Sequence, residues 1–310
     1  MPTPAPMLRT VRPSTEVAEA LAAGRAVVAL ESTILAHGLP RPGNLDTGRE
    51  LEAVVRAHGA VPATIAVLDG VARIGLTDRE LQRVCTDDSL AKLSLRDLPV
   101  ALGTGGSGAT TVASTSALAR AAGVDVFATG GLGGVHRGAQ DTFDESADLT
   151  TLGRTRIVVV CAGVKSILDV PATLERLESL SVTVVGYRTT TFPGFYVTDS
   201  GSTVDTRCED PAQLARVFAA GTGLTPAALV VANPLPVELQ LDPAEHAALI
   251  AAALTAAGDA GVTGKEVTPF VLDHLHTVSA GRTREVNVTL VLRNAALAAE
   301  VAVELAALEG

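Results

Sequence analysis

Short apolar runs rich in valine, isoleucine and alanine alternate along this chain with longer stretches whose apolar residues recur at helical spacing. Residues 26–30 predict a strand, with Glu31 at its end. Ser14 opens a short helix ahead of it, and residues 42–58 predict a longer one after it. Residues 63–68 and 71–74 read as strands joined through Asp69-Gly70, a strong hairpin signal. Residues 98–102 predict a brief strand, 110–122 a helix and 124–128 a strand that runs into a long glycine loop. Strands at 156–162 and 182–186 flank a helix after Pro171, and 227–232 forms another strand. The last third is mainly helix, over 243–257, 268–278 and 284–308. This alternation predicts an α/β fold: a mainly parallel central sheet covered by helices on both faces, with a helical C-terminal third. No linker of disordered composition and no internal repeat interrupts it, so residues 14–310 read as a single domain. Residues 1–13, with four prolines and no hydrophobic signal core, read as a flexible N-terminal tail.

Composition narrows the function classes. The chain has 310 residues, 47% hydrophobic and only 3% aromatic, so its core is built from aliphatic side chains, as suits helices on a parallel sheet. The net charge is −10 and no basic patch stands out, which argues against nucleic acid or an anionic membrane as partner. No uninterrupted apolar run approaches the ~20 residues of a membrane helix. Cys85, Cys161 and Cys208 are too few and too widely spaced for a zinc site or a disulfide framework, and they fit a reducing cytoplasm.

Lysine usage is the sharpest signal. Lys92, Lys165 and Lys265 stand against twenty-one arginines. Arginine keeps its proton in proteins, whereas lysine becomes a nucleophile in a suitable environment. Lys165 follows the apolar run Val158-Val159-Val160-Cys161-Ala162-Gly163-Val164, so it is expected in the loop at the C-terminal end of a buried strand. Ligands bind at that edge of open α/β sheets. A short helical turn over 166–169 is expected next. A helix start disfavours a cation beside it.

Further segments carry candidate chemistry. Glu31, directly after an apolar strand, is a part-buried carboxylate suited to general acid work, or else an N-cap or a salt-bridged loop acid. Gly103-Thr104-Gly105-Gly106-Ser107-Gly108 matches G-x-G-x-x-G but lacks the acidic partner of a dinucleotide fold; as a turn opening the helix after Thr110-Thr111 it would offer amides to a phosphate. The loop from Thr129 to Gly138 carries five glycines, His136 and Arg137, and Asp141, Asp144, Glu145 and Asp148 follow. One histidine beside such acids suggests a hard divalent ion held by one or two carboxylates and several waters. Lys92 either pairs with Asp97 or reaches a phosphate. Thr268 and Pro269 predict a helix start that makes Lys265 structural. Asn287 is polar among apolar neighbours on the final helix.

Several longer motifs occur together: Ala29-Leu30-Glu31-Ser32-Thr33-Ile34 with His37-Gly38, Pro62-Ala63-Thr64-Ile65, Phe127-Ala128-Thr129-Gly130-Gly131-Leu132-Gly133-Gly134-Val135-His136-Arg137, Ser146-Ala147-Asp148-Leu149, Cys161-Ala162-Gly163-Val164-Lys165-Ser166-Ile167-Leu168-Asp169 and Gly264-Lys265-Glu266-Val267-Thr268-Pro269-Phe270. In this order they closely resemble the pseudouridine-5′-phosphate glycosidase family, which includes the indigoidine synthase A-like proteins. The resemblance covers nearly the whole chain. It implies reversible cleavage of pseudouridine 5′-phosphate by water to uracil and ribose 5-phosphate, a divalent metal, typically Mn²⁺, and a cytoplasmic homotrimer. By motif position it makes Lys165 the nucleophile, Glu31 the proton donor and Asp144 the metal ligand. Lys92, Val112, Ser146, Ala147 and Asp148 would contact substrate, with Thr129, His136 and Asn287 assisting. Two positions depart from the family pattern: Glu145 replaces a hydrophobic residue, and Leu95 replaces a second basic residue before Arg96. A carbon–carbon glycosidic bond offers no heteroatom leaving group, so a carboxylate pair alone does not suffice; an amine that forms an iminium does. Another Schiff-base lyase or aldolase, or a non-catalytic sugar-phosphate-binding protein, would share parts of this pattern.

Overall fold

The computed structural model describes residues 10–262 and 267–309. The β-branched runs become strands, joined by short strands of mixed composition. In chain order these are β1 (Val11–Pro13), β2 (Val27–Leu30), β3 (Val61–Leu68), β4 (Val71–Ile74), β5 (Ala91–Leu93), β6 (Gly108–Thr110), β7 (Val126–Ala128), β8 (Val158–Cys161), β9 (Thr183–Tyr187), β10 (Thr191–Phe192), β11 (Ser202–Thr203), β12 (Thr206–Cys208) and β13 (Leu229–Ala232). The main sheet has the order β1-β4-β3-β2-β7-β8-β13-β9-β12, with β6 also pairing β3 and β5 pairing β6. Its pairs are parallel except β3–β4 and β3–β6. The β3–β4 hairpin turns at Asp69-Gly70, both at positive φ, which aspartate tolerates and glycine, lacking a Cβ, adopts freely.

β2, β3, β7, β8 and β13 are buried along their whole length, so both faces of the sheet are covered. The Arg282–Glu309 helix packs on the Pro211–Ala220 and Gly43–Ala57 helices and crosses β2, β7 and β8. The Val112–Ala121 helix packs on the Ala147–Leu152 helix and on β2 and β3. One hydrophobic cluster runs from Val11 to Leu305. The last helix is long and apolar enough to cross a membrane over Arg282–Leu308, although Arg293, Glu300 and Glu304 interrupt it; 61% of its most apolar window is buried inside the protein, as in a core helix.

The sheet aligns the C-terminal ends of its central strands. Leu30 pairs with Ala128, Ala128 with Val160, and Cys161 with Ala232. The chain leaves β2 for β3 on one side, whereas β7 lies on the other, so a topological switch point opens between the ends of β2 and β7.

Four expectations need correction. Residues 98–102 are not a strand: Leu98–Thr104 is helical, with Pro99 in its first turn and Gly105 closing it at φ 75°. A five-residue apolar run suits either period, and proline at a helix start decided it. The G-x-G-x-x-G stretch consequently joins a helix to β6, not a strand to a helix, and the next helix begins at Val112. Val11–Pro13, expected within the tail, pairs with β4 as β1, while residues 1–9 lie outside the described residues. The helix expected at Thr268 spans Val267–Val278, placing Thr268 inside it; Lys265 lies outside the described residues.

Candidate active site

Glu31 follows the last residue of β2 and is 8% exposed. Thr129, the residue after β7, donates its hydroxyl hydrogen bond to Glu31 Oε1. Burial pushes the Glu31 carboxyl above its ordinary value; the charge of Lys165 and the Thr129 hydroxyl pull it back, and Asp148 pushes it up again. Ser32 and Thr33 fasten the chain leaving β2. Ser32 Oγ donates to Ile65 O at 2.6 Å and accepts from Thr110 N at 2.9 Å, while the Thr33 hydroxyl donates to Thr110 O.

Lys165 stands on the loop after β8, half-buried. Beyond their strands, the loops after β7 and β8 stay zipped together. Ala162 N donates to Gly130 O at 2.9 Å, Leu132 N to Gly163 O at 2.9 Å, Lys165 N to Leu132 O at 3.0 Å and Asp169 N to Val135 O at 2.9 Å. Gly163 makes the turn at φ +86°, where a Cβ would lie 2.2 Å from Pro193 O, so only glycine fits. The turn expected over 166–169 is one hydrogen-bonded turn, closed by Leu168 N donating to Lys165 O at 3.0 Å, and the helix starts only at Val170, capped by Asp169. Lys165 therefore stands ahead of the helix and not in its first turn.

Asp148 lies at the start of the Ala147–Leu152 helix, capped by Ser146, and is 5% exposed. Both its oxygens are engaged: Ala113 N donates to Oδ1 at 2.9 Å and Gly133 N to Oδ2 at 2.8 Å. The fit at Gly133 is close, since a Cβ there would lie 2.2 Å from Ser146 Oγ. Asp148 thereby joins the start of the Val112–Ala121 helix to the glycine loop.

His136 Nδ1 lies 3.9 Å from Asp144 Oδ2. Burial lowers the His136 pKa, helped by Lys92 and opposed by Asp144. Glu145 pairs with Arg176 at 2.9 Å. Asn287 is 3% exposed, and its Oδ1 has no hydrogen-bond partner within the protein.

These groups line one cavity of about 470 Å³ at the sheet's C-terminal edge. Among the sequence-predicted site residues, Glu31, Lys92, Val112, His136, Asp144, Ser146, Ala147, Asp148, Lys165 and Asn287 line it. Thr129 does not; it sits behind Glu31. Of the acid cluster, Asp144, Glu145 and Asp148 face the cavity and Asp141 does not, nor does any residue of the 103–108 glycine stretch. Leu95 also lies outside the lining, with Arg96 beside it within. Among the described residues no group of three or more His, Cys, Asp or Glu side chains is placed to hold a metal ion.

Sequence reading missed Phe195, which packs against Gly131 on the cavity wall, and gave no role to His37 on the π-type turn Ile34–Gly38. Phe195 lies in none of the quoted motifs, and His37, although within one, was given no role there; the value of both comes from position. Asn233 and Asn294, both buried, were also missed.

The indigoidine synthase A-like family model matches residues 16–304. The chain belongs to this family. It is 60% identical over 299 residues to a pseudouridine-5′-phosphate glycosidase from Salinispora tropica, covering 96% of this chain and 92% of that one. It is 57% identical to one from Frankia alni, covering 95% and 82%. Among solved structures, the prealnumycin C-glycosynthase AlnA in complex with ribulose 5-phosphate superposes with a TM-score of 0.90 at 38% identity, covering 97% of this chain and 99% of that one. An indigoidine synthase A-like protein from Thermotoga maritima superposes with a TM-score of 0.87 at 35% identity, covering 96% of each.

Proposed function

We propose that this protein is a pseudouridine-5′-phosphate glycosidase, which cleaves the C1′–C5 bond of its substrate to uracil and ribose 5-phosphate through a Schiff base on Lys165. The observation that carries this reading is the convergence of Lys165 and a buried Glu31 of raised pKa on one cavity. The names of the relatives support the substrate.

Glu31 in its protonated form gives its proton to the ribose ring oxygen as the Lys165 amine attacks C1′ and the ring opens. The nitrogen then returns a proton to Glu31. Glu31 delivers it to uracil C5, the C1′–C5 pair of electrons goes with uracil, and the nitrogen lone pair closes an iminium to C1′. Water hydrolyses the iminium, releasing ribose 5-phosphate, the free amine and the proton that restores Glu31. Lys92, with Arg96 beside it, supplies positive charge for the phosphate, and Asn287 Oδ1 offers an acceptor to an N–H of the base.

The donor set fits a divalent ion of the Mn²⁺ or Mg²⁺ kind only as a largely hydrated one: Asp144 would hold it, with His136 close by. When bound, it would supply positive charge and ordered water beside the substrate. Glu145 is committed to Arg176. We read the assembly as a cytoplasmic homotrimer on family resemblance; light scattering on the purified protein tests the trimer.

The test of the reaction is borohydride reduction in the presence of ribose 5-phosphate. A stable adduct on Lys165, found by peptide mass spectrometry, is expected. An active preparation that leaves Lys165 unlabelled would defeat the scheme. AlnA, named as a C-glycosynthase, favours a second reading in which the chain joins another nucleophile to the sugar phosphate. Uracil compared with other carbon nucleophiles in the synthetic direction separates the two.

A further inference from the structure

Behind the cavity, a polar chain runs from the last helix to the Glu31 carboxyl. Asn294 lies on the Arg282–Glu309 helix and is 1% exposed; Asn233 follows the last residue of β13 and is 7% exposed. Asn233 Nδ2 donates to Asn294 Oδ1 at 3.0 Å. Asn294 Nδ2 donates to Thr129 O at 2.8 Å and reaches Gly130 O at 3.4 Å. Asn233 is itself fixed, its backbone N–H donating to Cys161 O at 2.8 Å. Thr129 N donates to Val160 O at 3.0 Å, and the Thr129 hydroxyl ends the chain on Glu31.

A helix that only had to cover the sheet would carry an aliphatic residue at 294. An asparagine with both ends of its amide bonded costs desolvation that packing does not require. What it provides is orientation. Thr129 is the first residue beyond β7; its N–H stays on Val160 O, but the next bond from the β8 side runs from Ala162 N to Gly130 O and passes its carbonyl by. A fixed donor on that carbonyl holds the peptide group the ladder leaves aside and sets where the Thr129 hydroxyl points.

We propose that Asn294, buttressed by Asn233, is a positioning residue that holds the Thr129 hydroxyl on Glu31. The catalytic consequence rests on the reading of Glu31 as proton donor. Glu31 also faces Lys165 from the β8 loop and Asp148 from the Ala147–Leu152 helix, with the Thr33 hydroxyl a weaker influence nearby. The relay therefore adjusts a group whose main environment is set by burial and by those two charges. The Thr129 bond favours the ionised carboxylate, so loosening it raises the Glu31 pKa further.

The experiment follows the Glu31 carboxyl directly by NMR in protein carrying ¹³Cδ-labelled glutamate, with its resonance assigned by its loss in Glu31→Gln. In Asn294→Leu the titration midpoint should rise by about half a unit or more, against the ordinary scatter of one unit for carboxyls. The high-pH limb of kcat/KM should move upward with it, and kcat/KM at its optimum should fall about tenfold, the scale of a small misplacement. Thr129→Val should move the midpoint in the same direction, and Asn294→Leu added to Thr129→Val should move it no further. A folded Asn294→Leu protein with an unmoved midpoint overturns the proposal. Should that variant not fold, Asn233→Ala, at the far end of the relay, gives the same readout with the same two outcomes. Glu31→Gln with wild-type turnover would instead sink the proton-donor reading, and the NMR result would stand apart from it.

Discussion

Lys165 and Leu132 are bound backbone to backbone: the Lys165 N–H donates to the Leu132 carbonyl at 3.0 Å, and the Leu132 N–H reaches back to Gly163 at 2.9 Å. The ladder between β7 and β8 thus continues past both strands. The lysine rides on an extension of the sheet, not on a free loop, which gives its amine a defined approach to anything held over Glu31.

Gly163 should be intolerant of any side chain. Its φ of +86° and a Cβ position 2.2 Å from Pro193 O combine two penalties. Gly163→Ala should lower stability by about 2 kcal/mol or more and turnover by about a hundredfold, because the displaced turn carries Lys165. Thermal melts and steady-state kinetics on pseudouridine 5′-phosphate check both; an unchanged kcat would mean that the loop does not set the amine's position.

Glu31 should make the protein less stable as pH rises. Its folded pKa lies above the ordinary 4.5, so the folded state binds more protons than the unfolded state between the two values. Stability falls as pH climbs from 4.5 through the folded pKa. Glu31→Gln removes this dependence. Its melting temperature relative to wild type should grow more favourable across that window, in a series of melts at stepped pH. A constant difference would argue that the carboxyl is not perturbed.

Asp148 should be irreplaceable by its amide. Each oxygen accepts a backbone N–H, from Ala113 and from Gly133. Asparagine has one acceptor, and its amide nitrogen would face a donor. Asp148→Asn should cost about 1–3 kcal/mol by urea denaturation, and activity should fall with it, since the start of the Val112–Ala121 helix and the glycine loop part company.

Metal dependence should separate Asp144 from its neighbour. Asp144→Ala should raise the Mn²⁺ concentration for half-maximal activation about tenfold or more, after EDTA treatment and back-titration. Glu145→Ala should leave that value within about twofold, because its carboxylate already serves Arg176. The reverse ranking would assign the ion to Glu145.

Most of the fold was legible in the chain because apolar periodicity is a local property. The strands ending at Leu30, Ala128, Cys161 and Ala232, the Asp69-Gly70 hairpin and the long last helix were all readable from spacing. The short run around Pro99 was not, since five apolar residues fit either period and the proline tipped the balance. The acid cluster shows the same limit in the site. Spacing grouped Asp141, Asp144, Glu145 and Asp148 as equals, yet Asp141 lies outside the cavity lining, Glu145 meets Arg176 on the Val170–Ser179 helix and Asp148 is consumed by two amides.

By itself, the sequence determined the α/β class, the exceptional lysine after an apolar strand and the carboxylate after another, because these follow from composition and near neighbours. The tertiary structure alone decided that Glu31, Thr129 and Lys165 share one edge, and that Asn233 and Asn294 stand behind them. Residues 61 to 165 positions apart meet in this relay through strand register and helix docking, and neither is encoded in any one segment.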